Sequence, residues 1–146
     1  MYNSGKGMTY PTQLQPIMAR KLNRLILAMK ILRHPIVLTE GVRTVARQNK
    51  LYAQGRTAPG NIVTNAKGGQ SLHNYGVAFD VAFLVDGSAS WDERLPWKLL
   101  GKVGKALGLE WGGDWTQIND RPHFQYLAGY TLADFQSGKV DYSKFK

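Results

Sequence analysis

Ser71-Leu72-His73-Asn74-Tyr75-Gly76-Val77-Ala78-Phe79-Asp80-Val81-Ala82-Phe83-Leu84-Val85 is the stretch on which the reading of this chain turns. From Gly76 to Val85 the residues alternate as a β-strand requires. Val77, Phe79, Val81, Phe83 and Val85 fall on one face, and Ala78, Asp80, Ala82 and Leu84 on the other. Asp80 is the anomaly: a carboxylate inside an apolar strand is costly unless it is paired or bound to a cation. Its alanine neighbours, Ala78 and Ala82, leave space beside it. His73 lies seven residues earlier, a spacing that is weak evidence by itself and equally fits an ordinary core or loop histidine.

The second dense segment is Asp120-Arg121-Pro122-His123-Phe124-Gln125. His123 to Leu127 reads as a strand with His123 and Gln125 on one face and Phe124 and Tyr126 turned into the core. Catalytic zinc sites keep three protein ligands, commonly His and carboxylate, and leave a fourth position for water. His73, Asp80 and His123 would supply that set. A metal hydrolase also needs a base that touches the water without holding the metal. Asp120, set off from His123 by Arg121 and the stiff Pro122, fits that role, or else pairs with Arg121 as a loop acid.

Around these segments the chain predicts a small α+β domain without internal repeat or linker. Leu14 to Leu32 carries an apolar stripe, Met18, Leu22, Leu25, Ile26, Met29 and Leu32, at helical spacing. Pro35 ends that helix, and Ile36-Val37-Leu38-Thr39 is a short strand. Val45 to Gln54 reads as a second helix between Thr44 as N-cap and Gly55 as stop. Residues 55–70 form a long glycine-rich loop of the kind that is often functional. Asp86-Gly87 marks a turn, and Ser90-Trp91-Asp92-Glu93 matches a capping box opening a third helix that runs to Gly108. A short helix near Thr131 precedes a polar tail. Residues 1–12 and 137–146 are expected to be loosely ordered ends of a single domain, 1–146.

Composition narrows the chemistry. The 146 residues contain no cysteine, which excludes disulfides, thiolate metal sites and cysteine nucleophiles. Residues 1–56 hold ten Lys or Arg against one acid, Glu40, so the entire net charge of +9 lies there. Arg20, Lys21, Arg24 and Lys30 sit mostly off the apolar stripe of the first helix. Such a face either stays solvated or associates with an anionic cell wall or membrane surface. Nucleic acid is not an expected partner, because no aromatic residue interleaves with the basic positions of Leu14–Leu32. Residues 1–9 lack a signal-peptide core and no stretch reads as a membrane span. Synthesis in the cytoplasm, with release or export by other factors, is the expectation.

The pattern Ser71-x-His73-x-x-Gly76-x-Ala78-x-Asp80 with a later Asp120-x-x-His123 resembles the zinc D,D-carboxypeptidase/L-alanyl-D-glutamate peptidase family, which cleaves peptidoglycan stem peptides. The phage endolysin branch is the closest fit. The resemblance also takes in Gly41-Val42-Arg43-Thr44, Leu51 to Thr57, Val63 to Gln70 and Gly108 to Trp115, running from about Ile36 to Tyr126. It implies a hedgehog/D,D-peptidase-like fold: a short, mostly antiparallel sheet flanked by helices, with one zinc in an open groove. It implies His73, Asp80 and His123 as zinc ligands, Asp120 as catalytic base, and Arg43 as the cation that polarises the scissile carbonyl. Ser71 matches a position near the substrate, or else caps a turn; Gln48 is a candidate substrate contact or a solvated helix position, and Asp114 and Trp115 are candidate supports of the site or groove walls, with core packing the alternative for the tryptophan.

Many carboxypeptidase members carry Glu where this chain has Asp120, and the aspartate form resembles the L-alanyl-D-glutamate endopeptidases. The expected function is therefore a zinc-dependent endopeptidase cutting between L-Ala and D-Glu as a cell-wall lysin, acting as a monomer. A D-alanyl-D-alanine carboxypeptidase or dipeptidase, and a non-catalytic zinc-binding adaptor, are the alternatives. The adaptor is disfavoured because all four metal and base positions are filled.

Overall fold

The computed structural model describes residues 10–146. Its elements in chain order are α1 (Pro16–Ile31), β1 (Ile36–Glu40), α2 (Val45–Ala53), β2 (Ala78–Val85), β3 (Ser88–Ser90), α3 (Trp97–Ala106), β4 (Glu110–Trp111), β5 (His123–Gln125) and α4 (Leu132–Ser137). The sheet runs β1-β2-β5-β4, every pairing antiparallel, with β3 folded back on the end of β2. The expected α+β architecture, a short antiparallel sheet with flanking helices, is what the chain adopts.

The alternation along β2 decides the layering. Phe79, Val81 and Phe83 meet the apolar stripe of α1 (Met18, Leu22, Leu25, Met29), together with Trp97 and Leu100 of α3, Trp111 of β4 and Phe124 of β5. Gly101 and Gly104 let α3 press directly on the sheet. A Cβ at Gly101 would lie 2.3 Å from the Trp111 ring, and one at Gly104 would lie 2.3 Å from Phe124. The helices thus seal one face of the sheet, and the Asp80 face is left for the site.

Several boundaries differ from the sequence expectation, each for a local reason. α1 begins at Pro16 rather than Leu14, because proline has no N–H to give and its fixed φ suits the first helical position. Gln15 N–H instead bonds Gly76 C=O at 2.9 Å, tying the entrance of α1 to the entrance of β2. The capping box expected at Ser90–Glu93 does not form. Asp86 and Gly87 both take positive φ (52° and 79°), a tight hairpin turn that carries residues 88–90 back along β2. Ser90 is consumed by that pairing, and α3 starts only at Trp97, after Pro96 and without a side-chain cap. β5 ends at Gln125 instead of Leu127, and the chain turns away with Ala128 at φ 49°.

The largest correction concerns the C-terminal end. Of the loose start expected at 1–12, residues 1–9 lie outside the described residues. The expected loose tail 137–146 is packed: Val140 and Phe145 join Tyr75, Val77 and Phe135 in a second apolar cluster, Phe145 being completely buried. Burying a phenylalanine ring contributes about 1.5–3 kcal/mol. Composition hid this, because two apolar residues in a polar decapeptide suffice when a cluster waits for them. The α4 helix beneath is held by a capping box between Thr131 and Asp134. No described helix is long and apolar enough to cross a membrane.

Candidate metal centre and active site

Strand register brings the first two donors together. Asp80 of β2 is the direct cross-strand partner of His123 of β5, while Phe79 and Phe124 pair on the core side. The apolar pattern that fixes this register therefore also fixes the Asp80–His123 contact, since a one-residue slip would bury the polar groups. His123 Nδ1 lies 3.1 Å from Asp80 Oδ1.

His73 arrives by another route. It sits on a 3-10 turn, Leu72–Tyr75, capped reciprocally by Ser71 and Asn74 and ended by Gly76 at φ 74°. Its Nε2 lies 3.3 Å from the same Asp80 Oδ1. Buried Asn74 laces the surroundings: its Oδ1 accepts from Gly69 N–H (3.0 Å), and its Nδ2 donates to Arg43 C=O (2.8 Å). Arg43 N–H in turn donates to His73 C=O at 3.0 Å. Tyr75, fully buried, donates its hydroxyl to Gly69 C=O at 2.5 Å and rests on Phe135.

Each imidazole holds its outer nitrogen in a hydrogen bond and turns the other toward Asp80, where that nitrogen donates to the carboxylate when protonated and offers a lone pair to a cation when it is not. His73 Nδ1 faces Gly41 C=O at 3.0 Å, an acceptor only, so its proton resides there and Nε2 is free. His123 Nε2 faces Gln125 Oε1 at 2.8 Å, which leaves Nδ1 as its donor atom. The ligand atoms of His73, Asp80 and His123 all lie within 4.8 Å of one another. Two bonds of ~2.0–2.1 Å at a tetrahedral angle span roughly 3.3 Å, so this nitrogen and oxygen set fits zinc. Outward hydrogen bonds fixing each ligand histidine are the expected support of such a centre.

Burial works against the charge of Asp80, but the hydrogen bonds from His123 and His73 outweigh it and hold its carboxyl well below the usual carboxylate range. Burial likewise opposes a charged His123, and the contacts with Asp80 and Gln125 overcome it, raising its pKa. Asp120 moves the other way: burial lifts it and the nearby Asp80 charge adds to that, against the pull of His123, His73 and Arg43.

These groups line one cleft of about 380 Å³, with Arg43, Arg47, Leu51, Val63, Thr64 and Ser71 completing its walls. Asp120 is anchored from both sides: its N–H donates to Gly112 C=O at 2.9 Å, and its C=O accepts from His123 N–H at 3.2 Å. Gly112 is required there, because a Cβ would lie 2.2 Å from the Asp120 carbonyl oxygen. Arg43 is gripped by Glu40 Oε1 on Nε (2.9 Å) and Gln48 Oε1 on Nη1 (2.9 Å). The 55–70 loop contributes Val63 and Thr64, and Arg56 pins it through Tyr52 C=O, Thr64 C=O and Asn65 Oδ1.

The structure thus gathers His73, Asp80, His123, Asp120, Arg43 and Ser71 in one place and sorts the remaining candidates. Gln48 is completely buried and its amide is spent on Arg43 and on Ala66 C=O (2.7 Å), so it positions Arg43 rather than contacting substrate. Asp114 pairs with Lys105 at 2.9 Å, half exposed and outside the cleft. Trp115 stands against the His123 ring, centroids 5.1 Å apart, behind the residues that line the cleft.

Sequence reasoning passed over Glu40, Asn74 and Glu110. Glu40 carried a signal as the sole acid of the basic first third. Asn74 carried none beyond its place in the motif. Glu110 lies on a two-residue strand, too short to show a period.

A family model described as D-alanyl-D-alanine carboxypeptidase matches residues 64–126. The chain is 40% identical over 134 residues to the peptidoglycan L-alanyl-D-glutamate endopeptidase CwlK of Bacillus subtilis (strain 168), covering 86% of this chain and 80% of that one. It is 36% identical over 72 residues to an L-alanyl-D-glutamate peptidase of Listeria phage A118, covering 47% of this chain and 26% of the phage protein. Among solved structures, the L-Ala D-Glu endopeptidase ChiX of Serratia marcescens superposes with a TM-score of 0.59 at 26% identity, covering 84% of each chain.

Proposed function

Because the chain belongs to the peptidase family of the peptidoglycan L-alanyl-D-glutamate endopeptidases and D-alanyl-D-alanine carboxypeptidases, we propose that it is a zinc-dependent L-alanyl-D-glutamate endopeptidase acting on stem peptides as a cell-wall lysin. The observation that carries this reading is the convergence of His73, Asp80 and His123 with Asp120 and Arg43 in one cleft. Zinc held by His73 Nε2, Asp80 Oδ1 and His123 Nδ1 would supply Lewis acidity and a water made acidic near neutral pH.

This chain's own residues do the rest. The Asp120 carboxylate takes the proton of the attacking water and passes it to the leaving amine nitrogen. Its lifted pKa suits a group that must first accept and then return a proton. Arg43, held rigid by Glu40 and Gln48, directs its guanidinium at the scissile carbonyl oxygen as negative charge develops. The carboxylate of Asp80 would offset part of the cation's charge, which the two neutral imidazoles do not. Leu51 and Val63 are the apolar residues of the cleft lining.

Three further elements belong to the proposal. The acid-free α1, with Arg20, Arg24 and Lys30 on its exposed side, holds the enzyme near anionic wall polymer or membrane. The protein works as a monomer. It reaches the wall after release or export by other factors.

Digestion of defined muropeptides by the zinc-loaded protein, read by mass spectrometry, tests the assignment. New D-Glu amino termini are expected. Release of free D-Ala with the L-Ala–D-Glu bond intact would instead make the protein a carboxypeptidase, the activity in the description of the family model that matches residues 64–126.

A further inference from the structure

The hydrogen bond from His123 does not end at Gln125. Gln125 Nε2 donates to Glu110 Oε2 at 2.7 Å, so a buried amide links a metal-ligand histidine to an exposed carboxylate two strands away from Asp80. Register builds this row as well: Gln125 is the direct cross-strand partner of Glu110, and Trp111 pairs with Phe124 on the opposite face.

The row has a direction, and at its outer end Glu110 sets it. A glutamine amide presents an acceptor at one end and donors at the other, and the two ends are nearly the same shape. His123 can meet either end, because an imidazole nitrogen can donate or accept. An ionised carboxylate can only accept. Glu110 therefore draws the NH2 end of Gln125 toward itself and turns Oε1 toward His123. Facing an acceptor at 2.8 Å, Nε2 keeps its proton, and Nδ1 is the nitrogen left to face Asp80 and a cation. A reversed amide would oppose two donors at Nε2, or shift the proton to Nδ1 and block coordination.

We propose that Glu110 is a positioning residue that polarises the Gln125–His123 relay and so raises the affinity of the His73, Asp80, His123 centre for zinc. Support of this kind for a metal-bound histidine changes affinity by about 10–100-fold. The inference rests on the reading of these three residues as a metal centre.

The test measures zinc affinity by competition with a chromophoric chelator for four proteins. They are the wild type, Glu110→Gln, the exchanged double variant Glu110→Gln/Gln125→Glu, and Asp114→Asn. Glu110→Gln lets the amide point either way and should weaken zinc about tenfold. The exchanged variant restores an acceptor-only group against His123 and a donor from position 110 at unchanged net charge, and should bind zinc within about threefold of wild type. Asp114→Asn removes a carboxylate outside the relay and should leave affinity unchanged.

In the zinc-loaded wild type the His123 Nε2–H proton should give a persistent NMR signal that broadens in Glu110→Gln and returns in the exchanged variant. Equal affinity of Glu110→Gln and wild type overturns the proposal. So does an equal loss in Asp114→Asn, which would reduce the effect to net charge. A wild type that binds no zinc overturns the metal reading along with it, an outcome distinct from either of those.

Discussion

The two histidines of the centre meet at one carboxylate oxygen but are delivered by opposite kinds of structure. His123, with Asp80 and Asp120, belongs to a sheet half whose geometry follows from strand register over a deep apolar core. His73, with Arg43, Ser71 and Asn74, belongs to a loop half with no ladder of its own, held by side chain to backbone hydrogen bonds and by the small cluster around Tyr75. A sheet specifies position through many weak, redundant contacts. A laced turn does so through a few that each matter. The halves should therefore fail differently when perturbed.

The largest effect should come from the sheet half and leave structure intact. Asp120→Asn keeps shape and removes the proton acceptor, so turnover of muropeptide should fall by about 10²–10⁴ while zinc content stays at one per chain. Retained turnover would remove Asp120 from the mechanism. Next in size is a contrast between the two cores. Phe145→Ala, at a fully buried ring of the cluster that contains Tyr75, should cost about 3–5 kcal/mol in denaturant unfolding, and Met29→Ala under the sheet about 2–5 kcal/mol. Only the Phe145 variant should also weaken zinc binding in the folded protein, because only that cluster supports the His73 turn. Equal zinc affinity in the two variants would show the halves to be a single mechanical unit.

Within the loop half, Asn74→Ala leaves the Gly69 N–H and the Arg43 C=O without their buried partner. A cost of about 1–3 kcal/mol for each group so stranded is expected. Gln48→Met keeps volume but frees Arg43 on one side. It should lower kcat by about tenfold with KM little changed, since misplacing a group that acts on the transition state costs turnover before binding. A rise in KM alone would return Gln48 to substrate contact.

The same division explains what the sequence revealed. β2 and β5 were legible because two-residue alternation is a strong signal and Asp80 broke it conspicuously. His73 and His123, flanking that break, suggested a set of metal ligands, which the resemblance reinforced. The rest of the loop half was legible only through resemblance, because lacing by Asn74 and the grip of Gln48 on Arg43 depend on chain segments far apart in sequence. Gln48, eight residues past Glu40 on a basic helix, reads as solvated until the 66–69 backbone is seen to cover it. The C-terminal decapeptide was misread for the same reason: Val140 and Phe145 gain meaning only from Tyr75 and Phe135. Ser90–Glu93 failed in reverse, a local cap signal overridden by hairpin pairing.

The smallest effect is a pH dependence that probes the sheet half without mutation. In protein stripped of metal with a chelator, the charged His123 ring is bonded to Asp80 and Gln125, and its pKa is raised above the ordinary histidine value. A raised folded-state pKa means that this stabilisation is fully present below the unfolded-state value, ~6.5, and is lost as pH rises through the folded value. Asp80 has the opposite sign: its pKa is depressed, so its contribution is present above ~3.9 and lost as pH falls through the lower folded value. Stability of the stripped protein should therefore be highest between these limits and decline on the alkaline side, beginning above pH ~6.5. Zinc-loaded protein should lack the alkaline decline, because a coordinated Nδ1 carries no proton to lose. Thermal unfolding across pH with and without chelator reads this directly. An alkaline decline of equal size in both would assign it to the remainder of the chain and detach His123 from the metal centre.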